Sequence, residues 1–481
     1  MYLERIYEPS LAQASYLIGC QKTGEALVVD PVRDVERYLA AAKAQKLRIT
    51  HVTETHIHAD FASGARELAE RAGARLLLSR EGGPDWQYRF AAQAGAALLG
   101  EGDTLDVGTV RVTVMHTPGH TPEHLTFLVT DRERGDQPLG ALTGDFLFVG
   151  DVGRPDLLER AAGDAGSMEG SARTLYTSLR RFAALPDYLQ IWPGHGAGSP
   201  CGKSLGAVPQ STLGYERIAN WALQIDDEVA FVRAALDGQI EPPSHFGVMK
   251  RINRDGVPTL GELGAPRQLP AEALAHALAD GLVVDARSPE RFAAGHAAGS
   301  VNVPFGHKFA TWVASLLPYD RPVVVIAEPP AEEAVASARR ELALVGVDRF
   351  DGWIDASALD VWAARHGPLE TTGHTTIEEL RPRMERGEVA VIDVRAQSEW
   401  EAGHVPGVTH VPLARLAEEV ERVRALAHDR PVVVHCQGGT RSAIAASVLQ
   451  AHGVKDVANL AGGFAAWRAA GLPVQRDGQG A

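Results

Sequence analysis

Two groups of residues in this sequence could do chemistry. The first is spread over the N-terminal half: His56-Ile-His58-Ala-Asp60, Thr117-Pro-Gly-His120, Thr143-Gly-Asp145 and Trp192-Pro-Gly-His195. Imidazoles and carboxylates are the ligand types of zinc, iron and manganese. Each cluster follows a run that reads as a strand, so loops at one sheet edge can bring the four together. The second group is local. Val432-Val-Val-His435 runs into Cys436-Gln-Gly-Gly-Thr-Arg441-Ser442 and then an Ala-rich stretch. A strand, a Gly-rich loop and a helix N-terminus aim successive N–H groups inward and form an anion nest. Such a nest favours thiolate over thiol and makes Cys436 a nucleophile, with Arg441 adding a fixed positive charge.

The elements that must hold these groups can be read from periodicity. Val110, Val112 and Val114 alternate with polar residues, a half-buried strand, and Leu125–Thr130 and Leu189–Trp192 also read as strands. Ala62, Ala65, Leu68, Ala69 and Ala72 follow helical spacing, with Gly73 as a stop. The Pro-rich Gln239–His245 and the turn at Asp255-Gly-Val-Pro read as linker. Beyond it the chain repeats. Leu282-Val-Val-Asp-Ala-Arg287 and Ala294-Gly-His296 return as Val391-Ile-Asp-Val-Arg395 and Ala402-Gly-His404, with Asp285 and Asp393 separated by 108 positions. Arg321-Pro-Val-Val-Val returns as Arg430-Pro-Val-Val-Val at an offset of 109. Apolar strands alternating with helical segments, repeated over this length, make two α/β domains with parallel sheets.

Bulk properties narrow the partners. The 481 residues carry a net charge of −14 and no basic run, which argues against nucleic acid. No apolar stretch reaches the ~18 residues of a membrane span. The three cysteines, Cys20, Cys201 and Cys436, are too few and too scattered for a disulfide framework. The N-terminal residues are too charged for a secretory leader. A cytoplasmic protein is expected, and Cys20 is assigned no role.

The four N-terminal clusters resemble the metallo-β-lactamase superfamily, whose signature is His-x-His-x-Asp-His followed by a separate His, Asp and His. Phe61 stands where the signature has its third histidine, which removes a ligand of a second metal. Thr55-His-Ile-His-Ala-Asp-Phe61 and Gly194-His-Gly-Ala-Gly-Ser-Pro-Cys201-Gly-Lys203 are most similar to the persulfide dioxygenases fused to tandem rhodanese domains. That resemblance implies an αββα sandwich and one Fe(II) per chain on His56, His120 and Asp145. It places His58, Asp60 and His195 around the ligands; zinc is the alternative metal, for which His58 and His195 could ligate directly. Arg154 is a candidate for holding an anionic substrate and Cys201 for holding or relaying sulfur.

The Cys436 loop, Glu399-Trp-Glu-Ala-Gly-His404 and Leu460-Ala-Gly-Gly-Phe resemble the rhodanese family. Cys436 and Arg441 would then be catalytic, with Cys436 carrying sulfane sulfur as a persulfide. In the first copy Ala327 takes the cysteine's place and Glu328-Pro-Pro330 the loop's, so that copy is expected to be inactive. The expected domains are 1–240 (metal site), 241–267 (linker), 268–368 (inactive rhodanese) and 372–478 (active rhodanese). The implied function is oxidation of a small thiol persulfide by O2 to sulfite, then transfer of sulfane sulfur to sulfite to give thiosulfate, in a dimer or tetramer. Rival readings are a zinc thioester hydrolase carrying a sulfurtransferase domain, and a non-catalytic sulfur carrier.

Overall fold

A computed structural model describes residues 1–163, 166–428 and 430–476; the end of the last expected domain, residue 478, lies outside them. The chain forms two compact units. The first comprises Met1–Leu263 with Ala343–Gly346, the second Gly264–Leu342 with Val347–Ala481.

Two six-stranded sheets build the first unit. One runs Tyr2–Glu8, Gln13–Cys20, Glu25–Val29, Arg48–Thr53, Arg75–Ser79, Ala97–Leu99, antiparallel over its first three strands and parallel after. In the other, Thr104–Val107, Val110–His116, Leu125–Asp131 and Gly140–Gly144 follow in antiparallel order, Gln190–Pro193 pairs in parallel with the last of these, and Ser211–Thr212 pairs antiparallel at the edge. The period-2 side chains of the two inner faces pack together: Tyr16, Ile18 and Val29 from one, Val112, Val114, Phe127, Leu142 and Trp192 from the other. On the outer face of the second sheet, Leu175, Leu179 and Phe182 of the helix Met168–Phe182 and Phe231 of Glu228–Leu236 cover Ala141 and Ile191. This is the αββα sandwich. The helix Ala65–Ala72 ends at Gly73 in left-handed conformation (φ 61°), as its position predicted.

Residues 241–267 are more than the linker the sequence suggested. They contain a helix, Phe246–Asp255, that buries Phe246, Met249 and Asn253. Asn253 accepts from Ser63 N and donates to the carbonyls of His58 and Phe61, at 2.9, 2.8 and 2.7 Å. The Pro-rich entry hid a short amphipathic helix whose polar residue ties down the His56–Asp60 loop.

The second unit holds two five-stranded sheets of the same order and parallel pairing. Their central strands are Val323–Ala327 and Val432–His435. The repeated Asp-x-Arg is a buried clamp. Arg287 donates to Asp285 and to the carbonyl of Gly295; Arg395 donates likewise to Asp393 and Gly403. The repeated histidines are also structural. His296 and His404 donate through Nδ1 to the carbonyls of Phe292 and Trp400 and stack on those rings at 3.8 and 3.6 Å.

Candidate metal centre and sulfur-transfer loop

Each candidate ligand sits just past the C-terminal end of a strand. His56 follows Arg48–Thr53, His120 follows Val110–His116, Asp145 follows Gly140–Gly144, and His195 follows Gln190–Pro193. One ligand atom each from His56, His120 and Asp145 lie within 4.8 Å of one another. His56 Nε2 and His120 Nε2 are 3.9 and 3.7 Å from Asp145 Oδ2. That is beyond a hydrogen bond, yet inside about 4.2 Å, twice a ~2.1 Å metal–ligand bond.

The far side of each ring fixes its tautomer. His120 Nδ1 lies 3.1 Å from the Arg154 carbonyl and His195 Nδ1 lies 3.1 Å from the Ala12 carbonyl. A carbonyl only accepts, so Nδ1 carries the proton and Nε2 offers its lone pair to the site. Thr55 Oγ1 donates to Asp30 and so accepts from His56 Nδ1 (3.0 Å), with the same result. Burial first, then the neighbouring histidines, holds His56 and His120 neutral, the form a metal needs. Both carboxylate oxygens of Asp145 and of Asp60 are buried without a hydrogen-bond partner, and burial pushes the Asp145 carboxyl up to about 6. Unpaired buried carboxylates are costly, and a divalent cation satisfies them. The donor set fits one.

The remaining sequence candidates fall into three situations. His58 lies outside the ligand set; its Nε2 is 3.1 Å from Asp30 Oδ1. Although burial opposes it, Asp30 raises the ring to about 9, making it a cation. Asp60, His195 and Cys201 form a second close group, with His195 Nε2 3.3 Å from Asp60 and 3.4 Å from Asp145. Cys201 therefore lines the centre, and burial followed by Asp145 and Asp60 keeps it a thiol. Arg154 corrects the anion-receptor expectation. It is fully buried, bidentate to Asp156 (3.0 and 2.7 Å), and donates to the carbonyls of Pro200 and Ile240. Its donors are committed to the loop, and its own carbonyl positions His120.

Two positioning residues escaped the sequence reading. Asp30 gathers Thr55 N, Thr55 Oγ1 and His58 Nε2 on one carboxylate, and His124 Nε2 accepts from Asp145 N at 3.2 Å. His124, four residues past His120, was a visible signal; Asp30, at the end of a strand, carried none.

In the second unit, Cys436 follows its strand and Gly439 caps the helix Thr440–Ala451 in left-handed conformation (φ 112°). Cys436 Sγ accepts from Gly439 N at 3.1 Å and Ser442 Oγ at 3.4 Å. Burial pushes the thiol up, but these donors with the N–H groups of Ser442 and Gly438 outweigh it and the pKa falls below its ordinary value. Arg441 turns to Glu399, at 2.5 and 2.8 Å. In the first copy Ala327 ends its strand without a thiol, and Glu328 lies 3.5 Å from Arg291, the repeat partner of Glu399. The charges there are reversed and the nucleophile is gone.

Residues 10–195 match the Metallo-beta-lactamase superfamily, and residues 270–350 and 376–470 match the Rhodanese-like domain. A crystal structure of a metallo-beta-lactamase from Staphylococcus aureus is 42% identical, covers 74% of this chain and 99% of that one, and superposes with a TM-score of 0.67. Persulfide dioxygenase ETHE1 of Homo sapiens is 30% identical over 40% of this chain and 67% of its own length. A hydroxyacylglutathione hydrolase of Polaromonas is 34% identical over 40% of this chain and 66% of its own. The chain thus belongs to the metallo-beta-lactamase superfamily, as a fusion of one such domain with two rhodanese-like domains, and persulfide dioxygenases are among its homologues.

Proposed function

We propose that the first unit oxidises a low-molecular-weight thiol persulfide with O2 and that Cys436 transfers sulfane sulfur to the sulfite formed. The observation that carries this reading is the buried His56–His120–Asp145 set, two neutral imidazoles and one carboxylate on a common point. Such a set suits Fe(II), which would supply oxygen activation while three protein ligands leave room for substrates. One persulfide, one O2 and one water give one thiol, one sulfite and two protons. The chain's own part is to hold the imidazole lone pairs inward, through the Arg154 carbonyl and Thr55, in a buried centre. At the second site, the sulfite sulfur attacks the outer sulfur of the Cys436 persulfide, the S–S bond breaks, and Cys436 regains its thiolate as thiosulfate leaves. Coupling both in one chain raises the local sulfite concentration. The role would be sulfide detoxification, in the cytoplasm, by a dimer or tetramer.

A zinc thioester hydrolase is the second reading, favoured by the hydroxyacylglutathione hydrolase likeness. Against it stands Phe61, fully buried, with its ring 4.3 Å from that of His58, in the signature's third histidine position. Metal analysis with oxygen uptake on glutathione persulfide separates them: iron with oxygen consumption is expected, and zinc with thioesterase activity and no oxygen demand would overturn the dioxygenase. His120→Ala should lose metal and oxygen uptake together. Cys436→Ser should keep oxygen uptake and stop making thiosulfate.

A further inference from the structure

Arg441 is the one charged residue in the loop Cys436–Ser442. Its guanidinium is taken by both oxygens of Glu399, Nη1 to Oε2 at 2.5 Å and Nη2 to Oε1 at 2.8 Å, and Glu399 is itself fixed by Ala396 N at 3.1 Å. The neighbouring cation, Arg395, is buried in its own pair with Asp393. What the loop offers an incoming anion is therefore its backbone amides and Ser442, while the charge that would hold a dianion is offset. Arg–carboxylate forks are geometrically matched and strong among ion pairs, and this one is about one-third exposed, so it can be tested without emptying a core.

This bears on the two kinds of sulfur compound the proposed reaction handles. A thiol persulfide loads the loop when the Cys436 thiolate attacks its outer sulfur, the S–S bond breaks and the carrier leaves as thiolate. Thiosulfate, the product, is a dianion. We infer that Glu399 is a specificity-determining positioning residue: by masking Arg441 it keeps thiosulfate weakly held, so that thiol persulfides load Cys436 and thiosulfate leaves as product.

This inference rests on the sulfurtransferase reading, and its test keeps the two apart. Thiosulfate-to-cyanide transfer is measured in the full-length chain, with mass spectrometry of the Cys436 persulfide alongside. In Glu399→Gln, the KM for thiosulfate should fall about tenfold, since a freed cation meets a dianion in a partly screened site. kcat should change much less. Glu399→Asp, which keeps the carboxylate, should stay near wild type, and Glu399→Ala, which frees the same cation, serves if Glu399→Gln folds poorly. An unchanged KM with reduced kcat in Glu399→Gln would make the pair merely structural and overturn the inference. So would a KM raised tenfold in Glu399→Gln, since the carboxylate would then be helping thiosulfate bind rather than masking Arg441. If wild-type Cys436 gains no sulfur from either thiosulfate or glutathione persulfide, the sulfurtransferase reading falls and the inference with it.

Discussion

At Cys436 a buried thiol is more acidic than an exposed one, because hydrogen bonds to the charged form outweigh desolvation. Ser442 leads those donors, so Ser442→Ala should move the midpoint of Cys436 alkylation by iodoacetamide to higher pH; an unmoved midpoint would assign the acidity to the backbone alone. At the metal centre, Asp145→Asn should abolish metal binding, read by metal content after dialysis, because a neutral amide cannot satisfy the buried cation the site is built for. The types of these residues were plain in the sequence. Their tautomers were not, since the carbonyls of Ala12 and Arg154 that set them have no side-chain signature. Arg154 misled for the same reason: from sequence, an arginine near ligands is a cation looking for an anion, and only packing shows that Asp156 already supplies it.

Strand ends do the gathering, so damage to an element should show at the site without touching a ligand. Asn253→Ala removes three hydrogen bonds to the His58–Ser63 segment. It should destabilise by about 1–3 kcal/mol and weaken metal binding by about 10–100-fold, measured by denaturation and metal titration. Strand positions such as Val110–Val114 were legible because period-2 alternation survives in any half-buried sheet. The helix Phe246–Asp255 was not, because ten residues behind a Pro-rich stretch give too few turns for a pattern to stand clear of a linker. In the repeat, Arg395→Ala strips the buried Asp393 of its guanidinium partner, leaving it the residue-395 N–H and His435 at 3.7 Å, which should cost about 3 kcal/mol. Burial raises Asp393, Arg395 outweighs it, and the folded value lies below the unfolded one. The pair's stabilisation is therefore present above about pH 4 and lost as pH falls through the folded value.

For the molecule as a whole, two compact units mean that a single unfolding free energy is not the natural quantity. Two calorimetric transitions are expected. Metal removal by a chelator should lower one of them, because a ligand bound only to the folded form stabilises it by mass action. Arg395→Ala should lower the other. One merged transition shifted equally by both treatments would contradict this. Within the second unit, the helix that opens at the Cys436 loop lies against the edge strand Val301–Asn302 of the copy lacking a cysteine, and Asn302 N donates to Ser447 Oγ at 2.9 Å. The repeat thus carries two demands on different residues of its first copy. In the first copy, residues 327–330 hold no thiol, while 301–302 pack against the helix that opens at Cys436. Sequence drift should be tolerated at the former and purged at the latter, so a randomised library scored only for thiosulfate production would draw the boundary between them.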